Sequence, residues 1–233
     1  MFQKLLTIAR NTFTESIRQP IFVVLILVGA SALVLNLSLA AYSMEYEGDN
    51  KMLTDLGLST IFVVSLLLAA FTATGVLSSE VENKTVLTVI SKPVSRPLFV
   101  VGKYLGVAAA ISLAFYVLSI VFVFTVRHRV MSTARDQFDL PVILLGLVGA
   151  VAALALASWG NYFYRWVFTS TFVVSLAVAE SVALGLVLVI DKQWQIQSPL
   201  AEFLAHEGTL AQTVVGLGLM FEAVMLLTAV AVV

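Results

Sequence analysis

Apolar residues fall into six long runs, at 20–43, 57–79, 98–126, 141–158, 167–190 and 211–233, with short polar segments between them. A helix needs about 20 apolar residues to cross the hydrocarbon core of a bilayer. In lipid every backbone polar group must be satisfied within the segment, so such runs form helices and not open strands. The pattern predicts an all-α polytopic membrane protein with six transmembrane helices. Residues 2–18 are patterned differently. At about 100° per residue from Phe2, the side chains of Leu5, Leu6, Ala9, Phe13 and Ile17 fall between roughly 300° and 60°. Gln3, Lys4, Thr7, Arg10, Asn11, Thr14, Glu15 and Arg18 take the opposite arc, and Ile8 alone sits off the stripe. A helix lying in the membrane interface requires this separation. Gln19-Pro20 breaks it, because the residue before proline resists helical geometry. Two regions follow: an amphipathic elbow over 1–19, and a six-helix domain over 20–233. The elbow either braces the bundle beside a cytosolic docking surface or serves as a topological anchor.

Composition sharpens the class. The chain is 60% hydrophobic and 12% charged, with mean hydropathy +1.02, whereas a soluble domain is about 45–50% apolar and about 25% charged. A net charge of −1 gives no footprint for nucleic acid. Without cysteine there is no disulfide, thiolate metal site or cysteine nucleophile. The first apolar run begins too late and runs too long for a cleaved signal peptide.

Basic residues in short loops set orientation. Lys4, Arg10, Arg18, Lys84, Lys92, Arg96, Lys103 and Arg165 lie on the side of the termini; Lys51, Arg127, Arg129, Arg135 and Lys192 lie opposite. Eight against five places both termini in the cytoplasm of a cytoplasmic (inner) membrane, with the cluster Arg127, Arg129, Arg135 running against the trend. Segment 159–166, WGNYFYRW, reads as a tight inner turn joining spans four and five. Its aromatic rings belong at headgroup level.

The inner loop at 80–103, EVENKTVLTVISKPVSRPLFVVGK, is the most informative stretch. Helix can continue through Ile90 before Ser91-Lys92-Pro93 breaks it. Pro97 suits the first turn of span three, with Ser95 a candidate cap. Val86, Leu87, Val89 and Ile90 form an apolar island rimmed by Glu82, Lys84, Lys92 and Arg96. Such a helix docks a few apolar anchors into a partner's groove, or dips into lipid.

The stretch ENKTVLTVISKPVSRPLFVVGKYLG resembles a segment of type-2 ABC exporter permeases, E-x-G-T-x-x-x-L-L-[ST]-x-P-[VI]-[ST]-R followed by G-K-x-x-G. Matching positions are Glu82, Thr85, Ser91, Pro93, Val94, Ser95, Arg96, Gly102, Lys103 and Gly106, with Lys84 where glycine is usual. The resemblance implies that this is a coupling helix gripping a separate ATPase subunit. Its ATPase-coupling residues are then Glu82, Lys84, Thr85, Val86, Leu87, Val89, Ile90, Ser91, Lys92, Pro93, Ser95 and Arg96. It also implies a gate helix in the outer loop 191–210, where Ser198-Pro199 reads as a helix start and Gly208 as a stop; the alternative is a surface helix on the bilayer. ATP and Mg would be held by the ATPase chain, since Gly102-Lys103 lacks the G-x-x-x-x-G-K-[ST] context of a phosphate loop.

Three polar residues fall within spans: Asn36, Glu180 and Glu222. A carboxylate at that depth faces protein or water, or is protonated. Each of the three could line a polar path or bridge neighbouring helices, bridging being preferred for the two acids. The spacings Gly102/Gly106 and Gly146/Ala150 permit close helix contact without assigning a partner. His128 and His206 are the only histidines, both read as outer-loop residues, and no catalytic or metal-ligand constellation is present. The reading is a permease subunit, not an enzyme, paired with a second permease subunit and with ABC ATPase subunits in the bilayer. Its rivals are a proton-coupled transporter using Glu180 and Glu222, and a membrane scaffold that recruits a cytosolic partner.

Overall fold

A computed structural model describes residues 2–41, 49–82, 95–131, 138–199 and 209–232. Among these are seven helices: α1 (Phe2–Arg18), α2 (Pro20–Ala40), α3 (Asp49–Glu82), α4 (Arg96–His128), α5 (Leu140–Tyr164), α6 (Phe168–Val189) and α7 (Thr209–Val232). The last six are long and apolar enough to cross a membrane. The described residues contain no strand beyond a single bridge between Ile190 and Ile196. The chain is an all-helical, multi-pass membrane protein.

Helix α4 is the hub, packing against each of the other six helices. Its residues Val107, Ala110, Ile111, Ala114, Val117, Leu118 and Phe122 are buried. Small residues make this possible, because they let neighbouring backbones approach closely. A Cβ on Gly106 would lie 2.5 Å from Thr12 Cβ and 2.6 Å from the Ala9 carbonyl; one on Gly102 would lie 2.8 Å from Ile8 Cγ2. The Gly102/Gly106 spacing is therefore the seat of α1. It also accounts for Ile8, whose side chain leaves the apolar stripe to occupy the Gly102 notch. Thr12, Ser16 and Ile17 are buried on α1, while Phe2 and Leu6 stay exposed at its far end.

Helix boundaries differ from the expected spans in two places. Helix α3 begins at Asp49 and not near 57, because Leu53 continues the packing face and joins a buried cluster with Ala40 and Val130. One turn on, Gly57 receives the ring of Phe122, which a Cβ would meet at 2.0 Å. Helix α5 runs to Tyr164, so most of WGNYFYRW is helix and not turn. It closes at Arg165, which sits at φ 55°, ψ 31°, with Trp166 N donating to Gly160 O at 3.2 Å. Arg165 N donates to the same carbonyl, so the left-handed residue turns the chain back over the last turn of α5. Trp159, Tyr162, Phe163, Tyr164 and Trp166 form a chain of ring contacts around it, all exposed. Helices α5 and α6 form the expected antiparallel hairpin.

Candidate functional site

At one end of the bundle, α1 and the two helices that bracket the loop at 83–94 are packed into a single block. Helix α1 seats on α4 as described. The Gln19 side chain, at the elbow between α1 and α2, lies across Gly75 of α3, where a Cβ would meet Gln19 Nε2 at 2.6 Å. Thr169 Oγ1, at the start of α6, donates to Arg18 O at 3.0 Å. The outer side of α1 lines an open groove of about 880 Å3 that includes Arg10, Asn11, Thr14, Glu15 and Arg18.

Glu82 is the last residue of α3, and Ser95 and Arg96 open α4. Ser95 occupies the N-cap position with extended backbone, and its carbonyl accepts from Phe99 N at 3.2 Å. Its hydroxyl makes no capping bond, so Pro97 in the first turn, which has no N–H to satisfy, starts the helix without side-chain help. Lys84, Thr85, Val86, Leu87, Val89, Ile90, Ser91, Lys92 and Pro93 lie outside the described residues, as do His206 and most of the expected gate helix.

The opposite end holds a feature not anticipated from the sequence. Arg127 is not a loop charge: it is buried in the last turn of α4, with its Nε 3.4 Å from Asp139 Oδ2. Asp139 caps α5, its Oδ1 accepting from Val142 N at 3.3 Å. Arg127 also donates to the carbonyl of Ile190, the C-cap of α6. One guanidinium thus joins the ends of three helices. His128 is buried too, edge-on to Phe138, and is not a loop residue. The sequence signal was an arginine closing an apolar run and an aspartate two residues before Pro141, an N-cap arrangement.

The three polar residues within spans separate in the structure. Asn36 is buried, and its Nδ2 donates to Thr60 Oγ1 of α3 at 2.9 Å, so it is an interhelix bridge. Glu180 is buried against α5, where a Cβ on Gly149 would lie 3.0 Å from its Oε1. Glu222 is exposed on α7.

Six long apolar helices packed on one hub define a polytopic membrane protein. The family model for the ABC-2 family transporter protein matches residues 6–215, leaving only the ends of the chain unmatched. The chain belongs to that family, the membrane-spanning permeases of ABC transporters. No curated protein and no solved structure gives a significant match.

Proposed function

We propose that the chain is the permease subunit of an ATP-driven exporter of the cytoplasmic membrane, with both termini in the cytoplasm, energised by separate ABC ATPase subunits that grip the segment at 83–94. One observation carries this reading: the segment leads directly into α4, and α4 touches every other helix. Closure of two ATPases around ATP displaces the loop, and α4 acts as the lever. Its 33 residues, at 1.5 Å per residue, give a rod about 50 Å long. At its far end the Arg127–Asp139–Ile190 junction passes the motion to α5 and α6. Helix α1, fixed on Gly102 and Gly106, moves with the inner half of the lever. Six helices enclose little space, so the substrate path forms at a seam with a second permease subunit.

The orientation underlying this reading is tested with Thr88→Cys, a single thiol in a chain that has none. A membrane-impermeant maleimide is expected to label it in inverted vesicles and not in intact cells. Labelling from outside intact cells contradicts the reading.

A further inference from the structure

Two grooves meet along α1. The polar one described above includes Arg10, Asn11, Thr14, Glu15 and Arg18. A second, of about 620 Å3, lies between α1, the second half of α5 and α6, along Ile17, Leu156, Trp166, Val174, Val178 and Ala179. Thr14 lines both. Arg10, Thr14 and Arg18 recur every four residues, so they share one face of α1, with an arginine one turn to either side of the junction. Both arginines are exposed. The second groove also carries hydroxyls, but their protons are committed within the protein. Thr14 Oγ1 donates to Arg10 O at 2.8 Å, and Ser170 Oγ and Thr171 Oγ1 to Val167 O at 3.2 and 2.9 Å. Ser175 Oγ reaches the carbonyls of Phe172 and Ala153 at 3.0 and 3.2 Å. The groove therefore offers hydrocarbon to an occupant and no hydroxyl proton to a sugar or a peptide. Trp166 at its edge marks headgroup level, from which the groove descends into the apolar layer.

We propose that the two grooves form one binding site for an anionic phospholipid of the surrounding membrane, with its phosphate between Arg10 and Arg18 and one acyl chain along Ile17, Val174 and Val178. Charge and polarity together select this occupant. Guanidinium groups pair with phosphate through charge-assisted hydrogen bonds, and the two arginines outnumber Glu15, the one acid in the polar groove. A free anion leaves the apolar groove empty. A zwitterionic lipid brings a cation of its own against Arg10 and Arg18. An apolar protein helix fills the second groove and ignores the first. The bound lipid holds the elbow against the α5–α6 hairpin, reinforcing the single hydrogen bond from Thr169 Oγ1 to Arg18 O. The orientation proposed above enters only in assigning the lipid to the cytoplasmic leaflet.

Native mass spectrometry of the full-length permease in detergent, titrated with phosphatidylglycerol or with phosphatidylcholine of the same chains, tests the site. The wild type is expected to hold phosphatidylglycerol in preference to phosphatidylcholine and to keep it when inorganic phosphate is added. Arg10→Gln and Arg18→Gln are each expected to weaken phosphatidylglycerol binding about fivefold, the effect of one basic residue at an anionic surface, and to leave phosphatidylcholine binding unchanged. Val178→Trp fills the apolar groove from an exposed position and is expected to weaken both lipids. Lys192→Gln, an exposed cation beyond the far end of α6, is expected to change neither. Equal retention of the two lipids by the wild type, or displacement of phosphatidylglycerol by inorganic phosphate alone, would overturn the proposal. So would arginine variants no weaker than Lys192→Gln, or undiminished binding in Val178→Trp. None of these readings involves the ATPase, so failure here is distinct from failure of coupling at 83–94, which co-purification reads.

Discussion

Arg127 and Asp139 face one another at 3.4 Å with side chains 2% and 0% exposed, joining the end of α4 to the start of α5. A buried pair of this kind adds little net stability over an apolar pair, but breaking it leaves an uncompensated charge. Arg127→Ala is therefore expected to lower stability by about 3–5 kcal/mol. Arg127→Met combined with Asp139→Leu is expected to cost less than the sum of the two single changes, with the lost N-cap accounting for about 1 kcal/mol. Thermal unfolding of the detergent-purified variants measures both. Strict additivity would show that the pair is not energetically coupled.

The two glycines under α1 differ in what opposes a side chain. At Gly102 the obstacle is the Ile8 side chain; at Gly106 it includes the backbone of Ala9 and Phe13. A side chain can rotate aside, but a helix backbone shifts only by moving the whole element. Gly106→Ala is therefore expected to destabilise more than Gly102→Ala, within the range of about 1–3 kcal/mol for overpacking. The same unfolding assay ranks them, and the reverse order would remove α1 from this seat.

Glu180 packs against Gly149 in a space that an amide fills equally well. Glu180→Gln is expected to keep ATP-dependent transport in reconstituted vesicles and to leave stability unchanged or raised, since it removes an ionisable group from the membrane interior. Were a proton gradient the driving force, this substitution would stop transport.

Asn36 bridges α2 and α3, but its partner Thr60 also donates to Leu56 O at 2.8 Å and loses little when Asn36 is replaced. Asn36→Leu is expected to cost about 0.6 kcal/mol, the average for an interhelix hydrogen bond in a membrane protein. Transport is expected to continue, whereas a path-lining role would be exposed by a transport defect at unchanged stability.

The six spans were legible because apolar runs near 20 residues long have no other outlet in water. Their ends were less so. Asp49, Lys51 and Asp55 border an apolar run but lie within a helix, because Leu53 still finds a packing partner. Trp159 to Tyr164 suggested a turn through their aromatic content, yet interfacial rings sit equally well on a helix end. Which face each span buries was hidden, since a helix apolar all round carries no periodic signal. Glu180 and Glu222 therefore looked alike in sequence, although one is buried and the other exposed. The Gly102/Gly106 spacing was visible, but its partner α1 was not. Arg127 counted as a loop charge because its neutralising partner lies twelve residues away, across a turn.

The central claim is that the loop after α3 holds the ATPase. Co-purification of a tagged permease with its ATPase, wild type against Leu87→Asp combined with Ile90→Asp, tests it most directly. The account predicts that the wild type retains the ATPase and that the double variant, inserted and folded as before, loses at least nine-tenths of it. Normal retention by the double variant would contradict the account.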